Sequence, residues 1–222
     1  MGRRSSADLW LAGGLIVVAV YFFSGYFTTV RFERERIQVQ VGRGAVRISG
    51  LYEYRNRSWL PAVLTLGVPF PADQAHPAPA FPLLTEAVDG GGPVLIPYTS
   101  RGGEVRFRLF FRPQEVKRVR LEYEQPARLP NGRYLLTTTR AWRRPIEDAS
   151  FTLLLPRCYA LAASNYPLTA LSAPGGRAAF SFSRDQFYPD RDWEFAWEER
   201  QPCVPAQQAR FGQARLGQGG LS

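Results

Sequence analysis

Histidine, cysteine and lysine are scarce in this sequence, which has one histidine, two cysteines and one lysine in 222 residues. A Ser-His-Asp or Cys-His catalytic arrangement would have to use His76, which lies in a Pro- and Ala-rich loop. Zinc ligands at a recognised spacing are lacking, and neither a P-loop nor a dinucleotide-binding glycine motif occurs. We therefore predict no catalytic residue, no metal and no cofactor, and we interpret His76 as a solvated loop residue.

The lysine shortage changes the meaning of the net charge of +9, because nearly all of that charge is carried by arginine. A bias towards arginine is typical of a GC-rich genome. The arginines are also spread along the chain instead of forming one basic run, which argues against a nucleic-acid partner.

Acidic residues leave one metal site to consider. The stretch RDQFYPDRDWEF contains four acids whose oxygens suit calcium, Asp185, Asp190, Asp192 and Glu194. Their spacing matches no EF-hand loop, and neighbouring arginines supply counter-charges, so we interpret the stretch as a turn.

A long uncharged segment stands near the start of the chain. Residues 9–30 contain no charged side chain and as a helix would be roughly 33 Å long, enough to cross a bilayer. A cleaved signal peptide is the alternative, but its apolar region is usually shorter and ends at small residues. The segment here ends in bulky aromatics, which favours an uncleaved signal anchor with residues 1–8 as a short cytoplasmic tail.

The orientation of the anchor is ambiguous in its charges. More arginines follow the segment than precede it, which by the positive-inside count would keep the main domain in the cytosol. Long domains, however, translocate largely regardless of charge. The pair Cys158 and Cys203 fits one disulfide in an oxidising compartment, although two separate buried thiols are the alternative. We therefore predict a single-pass protein of the cytoplasmic membrane, with its C-terminal domain on the extracytoplasmic side and the bilayer as one partner.

Beyond the anchor, the dominant hydrophobic period is two, which predicts an all-β fold. In EVRFRLFFR and in VKRVRLEYE, apolar and charged residues alternate, and a short turn between them predicts a hairpin. About ten such segments with Gly- and Pro-rich turns indicate an antiparallel β-sandwich of immunoglobulin-like type, either one large or two small. The domain would span residues 31–204, with a seam near 124–133, before a disordered tail at 205–222.

The predicted hairpin would display a basic surface. Its outer face would carry four arginines, Arg106, Arg108, Arg118 and Arg120. These could contact anionic lipid head groups. The simpler alternative is that Glu122 and Glu124 pair with them across the strands.

The segment TTTRAWRRPI predicts a structural corner. Tyr134, Arg140 and Trp142 would lie on one side of a strand that Pro145 ends. Trp142 would plug the end of that strand. Arg140 on the same face needs a carboxylate or carbonyl partner, which we expect near the rim of the sheet.

Four segments carry a resemblance to a known group of proteins: GLYEYRNRSWLPAVLTLGVPFP with its N-x-S run, FFRPQEVKRVRLEYEQ, YLLTTTRAWRRPIEDASFTLLLP and FYPDRDWEFAW. Over about residues 46–200 the chain resembles secreted or membrane-anchored bacterial β-proteins of unknown function. The matching positions are Pro113, Glu115, Tyr123, Tyr134, Leu136, Thr138, Trp142, Pro145 and Ile146. The resemblance implies an extracytoplasmic β-sandwich and no particular activity.

Two functions are compatible with these observations. The first is a non-catalytic interaction or scaffolding module of the cell envelope, with a membrane or envelope protein as partner. The second is a glycan-binding protein or glycan hydrolase that uses tryptophans such as Trp59, Trp142, Trp193 or Trp197 as stacking platforms. The period-two spacing of Trp193 and Trp197 predicts that both rings are in the core, which favours the first function.

Overall fold

A computed structural model describes residues 29–79, 82–87, 92–101, 103–172, 177–201 and 203. The predicted anchor at 9–30 therefore lies almost entirely outside the described residues, as does the predicted tail at 205–222. Within the described ranges, no helix has the length and apolar character needed to span a membrane.

Fourteen strands account for most of the described residues, and eight of them form one large sheet. In spatial order these eight are β12 (Thr169–Leu171), β13 (Arg177–Phe187), β10 (Ile146–Pro156), β1 (Val30–Val41), β2 (Ala45–Asn56), β8 (Val116–Pro126), β4 (Leu83–Ala87) and β5 (Val94–Leu95). The predicted all-β class is confirmed.

Two sheets of three strands complete the fold. The first is formed by β3 (Ala62–Pro69), β7 (Glu104–Phe111) and β6 (Tyr98–Arg101), with β7 in the middle. The second is formed by β11 (Tyr159–Ser164), β14 (Trp193–Glu199) and β9 (Asn131–Tyr134), with β14 in the middle.

The large sheet is mixed, whereas the sequence predicted purely antiparallel pairing. β1 lies between β2, which runs antiparallel to it, and β10, which runs parallel to it over Arg34 to Gln40. Parallel neighbours need a long crossover connection. Here the chain between β1 and β10 forms further strands of the large sheet and also strands of the two small sheets.

The predicted hairpin between β7 and β8 is wrong. β7 pairs with β3 and β6 in a small sheet, whereas β8 pairs with β2 and β4 in the large sheet. The turn between them therefore carries the chain from one sheet to the other, with Gln114 at a φ of 57°. Alternation correctly predicted which side chains are buried in each strand, but it does not specify the partner strand.

Buried aromatic side chains join the large sheet to both small sheets. The ring centroids of Phe182 and Trp193 are 5.3 Å apart, and those of Phe70, which follows β3, and Tyr123 are 4.7 Å apart. Trp193 and Trp197 are 0% and 7% exposed. Their predicted place in the core is confirmed, so neither ring is available as a platform for a glycan.

The two cysteines form the predicted pair. Cys158 follows β10 and Cys203 follows β14, and their Cα atoms are 5.3 Å apart in a disulfide. The disulfide therefore links the turn after β10, a central strand of the large sheet, to the segment that follows β14 in the sheet of β11, β14 and β9.

Candidate functional site

The segment around TTTRAWRRPI folds differently from the prediction. β9 ends at Tyr134, and Thr137–Trp142 form a 3-10 helix instead of continuing the strand. The hydroxyl groups of Thr138 and Thr139 donate to backbone carbonyls three residues earlier. Such local bonds compete with strand pairing and favour a tight turn. Arg143 ends the helix in the left-handed region, with a φ of 54°.

Within this corner, Trp142 packs against the core from the 3-10 helix instead of from the end of a strand, and Arg140 does not face the core. The Trp142 ring packs on Phe32 and Tyr54 at centroid distances of 5.8 and 5.7 Å. Arg140 is exposed, and its guanidinium lies over the ring of Tyr188 at 5.6 Å from the centroid. The helix turns Arg140 away from the core, so the expected carboxylate or carbonyl partner is replaced by an aromatic ring. Pro145 is exposed directly before β10.

The four arginines of the predicted basic surface do not share one face. Arg106 and Arg108 lie on β7 in a small sheet, whereas Arg118 and Arg120 lie on β8 in the large sheet. The predicted single surface is wrong because it required the β7–β8 hairpin. Three of the four arginines form ion pairs: Arg106 with Glu104, Arg118 with Glu53 and Arg120 with Glu122.

His76 is buried, contrary to the predicted solvated position. It is 8% exposed, with Nδ1 at 3.1 Å from an Asp73 oxygen and Nε2 at 3.2 Å from the carbonyl oxygen of Asn131. Backbone hydrogen bonds from His76 and Ala75 and the nearby imidazole lower the pKa of Asp73. Both ring nitrogens face acceptors, so the ring links the loop that contains Asp73 to β9.

Among the four acids considered for calcium, Asp192 is committed to structural contacts. Its Oδ1 accepts hydrogen bonds from the backbone N–H and the hydroxyl of Thr137, and its Oδ2 accepts from Arg133 at 2.6 Å. Burial alone would raise the pKa of Asp192, but these donors outweigh burial and lower it. Asp192, which directly precedes β14, therefore holds Thr137 at the start of the 3-10 helix.

A short loop between β2 and β3 is held by one buried side chain, Asn56. This residue is 0% exposed, and its Nδ2 donates to the carbonyls of Leu60 at 2.7 Å and Arg112 at 2.9 Å. Its Oδ1 accepts the backbone N–H of Ser58, and the Ser58 hydroxyl accepts that of Leu60. All the polar atoms of the Asn56 amide are thus used to fix the loop.

This loop presents apolar side chains to solvent. Trp59 is 84% exposed and Leu60 is 66% exposed, and next to them Val63 on β3 and Phe110 on β7 are 62% and 67% exposed. Val63 and Phe110 are directly opposite in the ladder. We call these four residues the apolar tip. Large exposed apolar side chains that lie close together are typical of contact sites for a protein or a membrane.

The apolar tip lies where the described chain begins. The backbone N–H of Arg57 donates to the carbonyl of Thr29 at 2.8 Å, and Val30 pairs with Asn56. Two exposed arginines, Arg108 and Arg112, lie on or next to β7 beside Phe110. Within the described residues neither guanidinium forms an ion pair, although the carboxylate of Glu115 accepts a hydrogen bond from the backbone N–H of Arg112. The tip is therefore bordered by positive charge and is adjacent to residue 29.

A second feature is a buried carboxyl group between the sheets, that of Glu35. A bulge shifts the β1–β2 register between Phe32 and Arg34. Phe32 and Glu35 therefore both face inward, although two residues lie between them and a regular strand would place them on opposite faces. Bulges often redirect a side chain at a functional site. Glu35 is 1% exposed and lines a cavity of about 70 Å³.

Tyrosines surround this carboxyl group. Tyr134 donates its hydroxyl to Oε1 of Glu35 at 2.9 Å, and the hydroxyls of Tyr134 and Tyr52 are 2.9 Å apart. Oε2 of Glu35 has no hydrogen-bond partner in the described residues. Burial raises the pKa of Glu35 to about 7, although the Tyr134 hydrogen bond lowers it.

Neither Glu35 nor Asn56 was identified from the sequence. The signal for Glu35 was present in part, because it precedes Ile37 by two residues in an alternating strand and so shares its face. The signal for Asn56 was the run Asn56-Arg57-Ser58, in which short polar side chains can cap a turn.

No protein-family model matches this sequence, and no curated protein sequence matches it. Among solved structures, the chain is similar to a candidate nutrient binding protein of Legionella pneumophila, with a TM-score of 0.58 and 13% identity. That match covers 76% of this chain and 67% of the other. An M1 zinc metallopeptidase from Deinococcus radiodurans matches with a TM-score of 0.47 and 14% identity, over 77% of this chain and 43% of the enzyme. At these identities, the Legionella match indicates a shared fold and nothing about activity.

Proposed function

We propose that this chain is a non-catalytic interaction module of the bacterial cell envelope that rests on the outer face of the cytoplasmic membrane. In this proposal the apolar segment predicted at 9–30 crosses the membrane once and ends before Val30, which is the first residue of β1. Residues 1–8 stay in the cytoplasm, and the chain from Val30 to about residue 204 forms one extracytoplasmic β-sandwich. A single sandwich is favoured because buried side chains of all three sheets belong to one core.

The observation that carries the proposal is the position of the apolar tip beside residue 29. A domain that follows a membrane span has one end closest to the bilayer, and here that end exposes Trp59 and Leu60. Tryptophan is enriched at membrane interfaces, and unpaired arginines such as Arg108 and Arg112 are attracted to anionic lipid. The same end therefore combines both requirements for contact with a bilayer.

The energies are sufficient for such a contact. Complete removal of a large apolar side chain from water contributes about 1.5–3 kcal/mol, and each arginine near an anionic surface contributes about 1 kcal/mol. A free domain would bind weakly with these contributions. A domain tethered by a membrane span is held at high effective concentration, so a few kcal/mol keep the tip in place.

Site-specific labelling of the whole chain tests the proposal. The two cysteines are joined, so a cysteine introduced at Leu60 can be labelled alone with an environment-sensitive fluorophore, which leaves Trp59 intact. The matched control is Leu129→Cys, because Leu129 is also exposed, at 53%. It lies near the β1–β2 turn, where Ala127 bonds to Gly44. That turn follows the last residue of β1, whereas the apolar tip lies beside its first residue.

The labelled chain is reconstituted into liposomes that contain anionic lipid and no other protein. We expect a lipid-borne quencher to quench the label at position 60 and not the label at position 129. Added salt should weaken the quenching, because part of the attraction is electrostatic. Equal quenching at both positions, or quenching at neither, would contradict the proposal. Protection of the label at position 60 only in native membranes would indicate a protein partner instead of lipid.

A further inference from the structure

Glu35 differs from the other buried acids of the described residues because it has no cationic partner. Arginines pair with the other three, Glu33, Glu53 and Asp192, at N–O distances of 2.9, 3.1 and 2.6 Å. Glu35 accepts one hydrogen bond from Tyr134, and its Oε2 accepts none. Buried polar atoms are rarely left without a partner, so Oε2 points to a ligand that supplies the donor.

The surroundings of Oε2 are aromatic. Six of the fourteen residues that line the cavity carry aromatic rings, namely Phe32, Tyr52, Tyr54, Tyr123, Tyr134 and Trp142. No lysine, arginine or histidine lines it. Its lining also includes the exposed Thr138, so the cavity extends to the surface beside the 3-10 helix.

The chemistry of this lining selects among possible occupants. An anion would be repelled by the carboxylate, and an apolar molecule would leave Oε2 without a donor. A metal ion would need more charged ligands, and no group of three metal-binding side chains occurs in the part of the chain that the structure describes. A cation with N–H donors satisfies both features, because its N–H can bond to Oε2 while aromatic faces attract its charge.

We propose that the cavity beside Glu35 is a binding site for a small primary ammonium group, held by the Glu35 carboxylate and the surrounding aromatic rings. A volume of about 70 Å³ is several times the roughly 10–15 Å³ that one water molecule requires by this measure. This fits a head group the size of methylammonium, with any longer chain leaving past Thr138. The site is independent of the contact between the apolar tip and the membrane.

Binding should depend on pH through Glu35 alone. The titratable groups that face it are Tyr52 and Tyr54 from β2, Tyr123 from β8 and Tyr134 from β9, and no charged group lines the cavity from β3 or the 3-10 helix. Burial raises the pKa of all four tyrosines, so they stay neutral. The carboxylate form, which binds the cation, becomes dominant above about pH 7.

Equilibrium dialysis of the whole chain, in mild detergent, with radiolabelled methylammonium tests the site. We expect saturable binding of one ion per chain at about pH 8. The affinity should be about a hundredfold lower at about pH 5, because only about 1% of a carboxyl group with a pKa near 7 is then ionised. Sodium at equal concentration should not compete.

Two variants separate this site from binding at the surface. Glu35→Gln keeps the size of the side chain and should weaken binding about tenfold or more, because a charged hydrogen bond is lost. Glu198→Gln removes an exposed carboxylate and should leave binding unchanged. The proposal is overturned if the folded wild-type chain shows no saturable binding, or if wild type and Glu35→Gln bind alike. If Glu35→Gln does not fold, pH-independent binding by the wild type also overturns it.

Discussion

The buried carboxyl group of Glu35 should make the stability of the domain fall as the pH rises towards neutrality. Burial raises its pKa from an ordinary value of 4.5 to about 7. Between these two values the folded chain holds a proton that the unfolded chain has already released. Stability therefore decreases as the pH rises through this window and becomes constant above it.

The size of the effect follows from the two pKa values. One pKa unit corresponds to about 1.4 kcal/mol, so a shift from 4.5 to about 7 corresponds to a loss of about 3 kcal/mol across the window. Such a loss is a large part of the 5–15 kcal/mol that typically stabilises a domain. The substitution Glu35→Gln removes the titrating group and should abolish this part of the pH dependence.

Urea unfolding of the whole chain in mild detergent, followed by tryptophan fluorescence from about pH 5 to about pH 8, measures the effect. The quantity to compare is the slope of the free energy of unfolding against pH. Replacing the carboxyl group by an amide can also change the free energy of unfolding itself. That change is similar at every pH, so it does not alter the slope. All other titratable side chains are the same in both proteins, so the difference between the two slopes isolates the effect of Glu35.

Glu198→Gln is the matched control, since it also removes one carboxylate but from an exposed position. We expect it to keep the slope of the wild type. If Glu35→Gln and the wild type have the same slope over this range, the inference that burial holds a proton on Glu35 is refuted.

Three further predictions concern the same core and its borders. Tyr134→Phe removes the hydroxyl that donates to the buried carboxyl group, so the pH midpoint of the stability change should move upward; an unchanged midpoint would contradict this. Trp142→Ala should lower the free energy of unfolding by about 2–4 kcal/mol, because its ring packs in the core, whereas Arg140→Ala removes one exposed cation–π contact and should cost about 1 kcal/mol or less; urea unfolding would refute this if the two costs were equal. Replacing both Cys158 and Cys203 by serine should destabilise the chain by about 4 kcal/mol, the chain-entropy cost of a link across 45 residues, and unchanged thermal unfolding would contradict that value.

Hydrophobic alternation predicted the buried face of individual strands. In β7, Val105, Phe107, Leu109 and Phe111 are all buried as their spacing indicated. Alternation predicts only which face of a strand is buried. It does not predict which strand pairs with it. The pairing of β7 with β3 and β6 depends on contacts distant in sequence, so the local turn after β7 was misread as a hairpin.

The candidate sites were harder to predict for two different reasons. The bulge in β1 decides that Phe32 and Glu35 face the same core, and no residue type in that stretch requires a bulge. The exposure of Trp59 depends on hydrogen bonds from Asn56 to a segment more than fifty residues away. Tyr134 is the last residue of β9 and is buried, as the predicted strand required. The 3-10 helix that follows it was not predicted.

The place of β1 in the sheet determines when the domain can be completed during synthesis. β1 is the first described strand, yet one of its two neighbours is β10, which follows about 110 residues later. Until the ribosome has released β10, one edge of β1 has no partner, and unpaired edges invite association with other chains. We therefore expect nascent chains that end before Ile146 to remain sensitive to proteases and chaperone-bound. Protection should begin once β10 is available and be complete only in chains that also include β13 and β14, which pair with β10 and with β9.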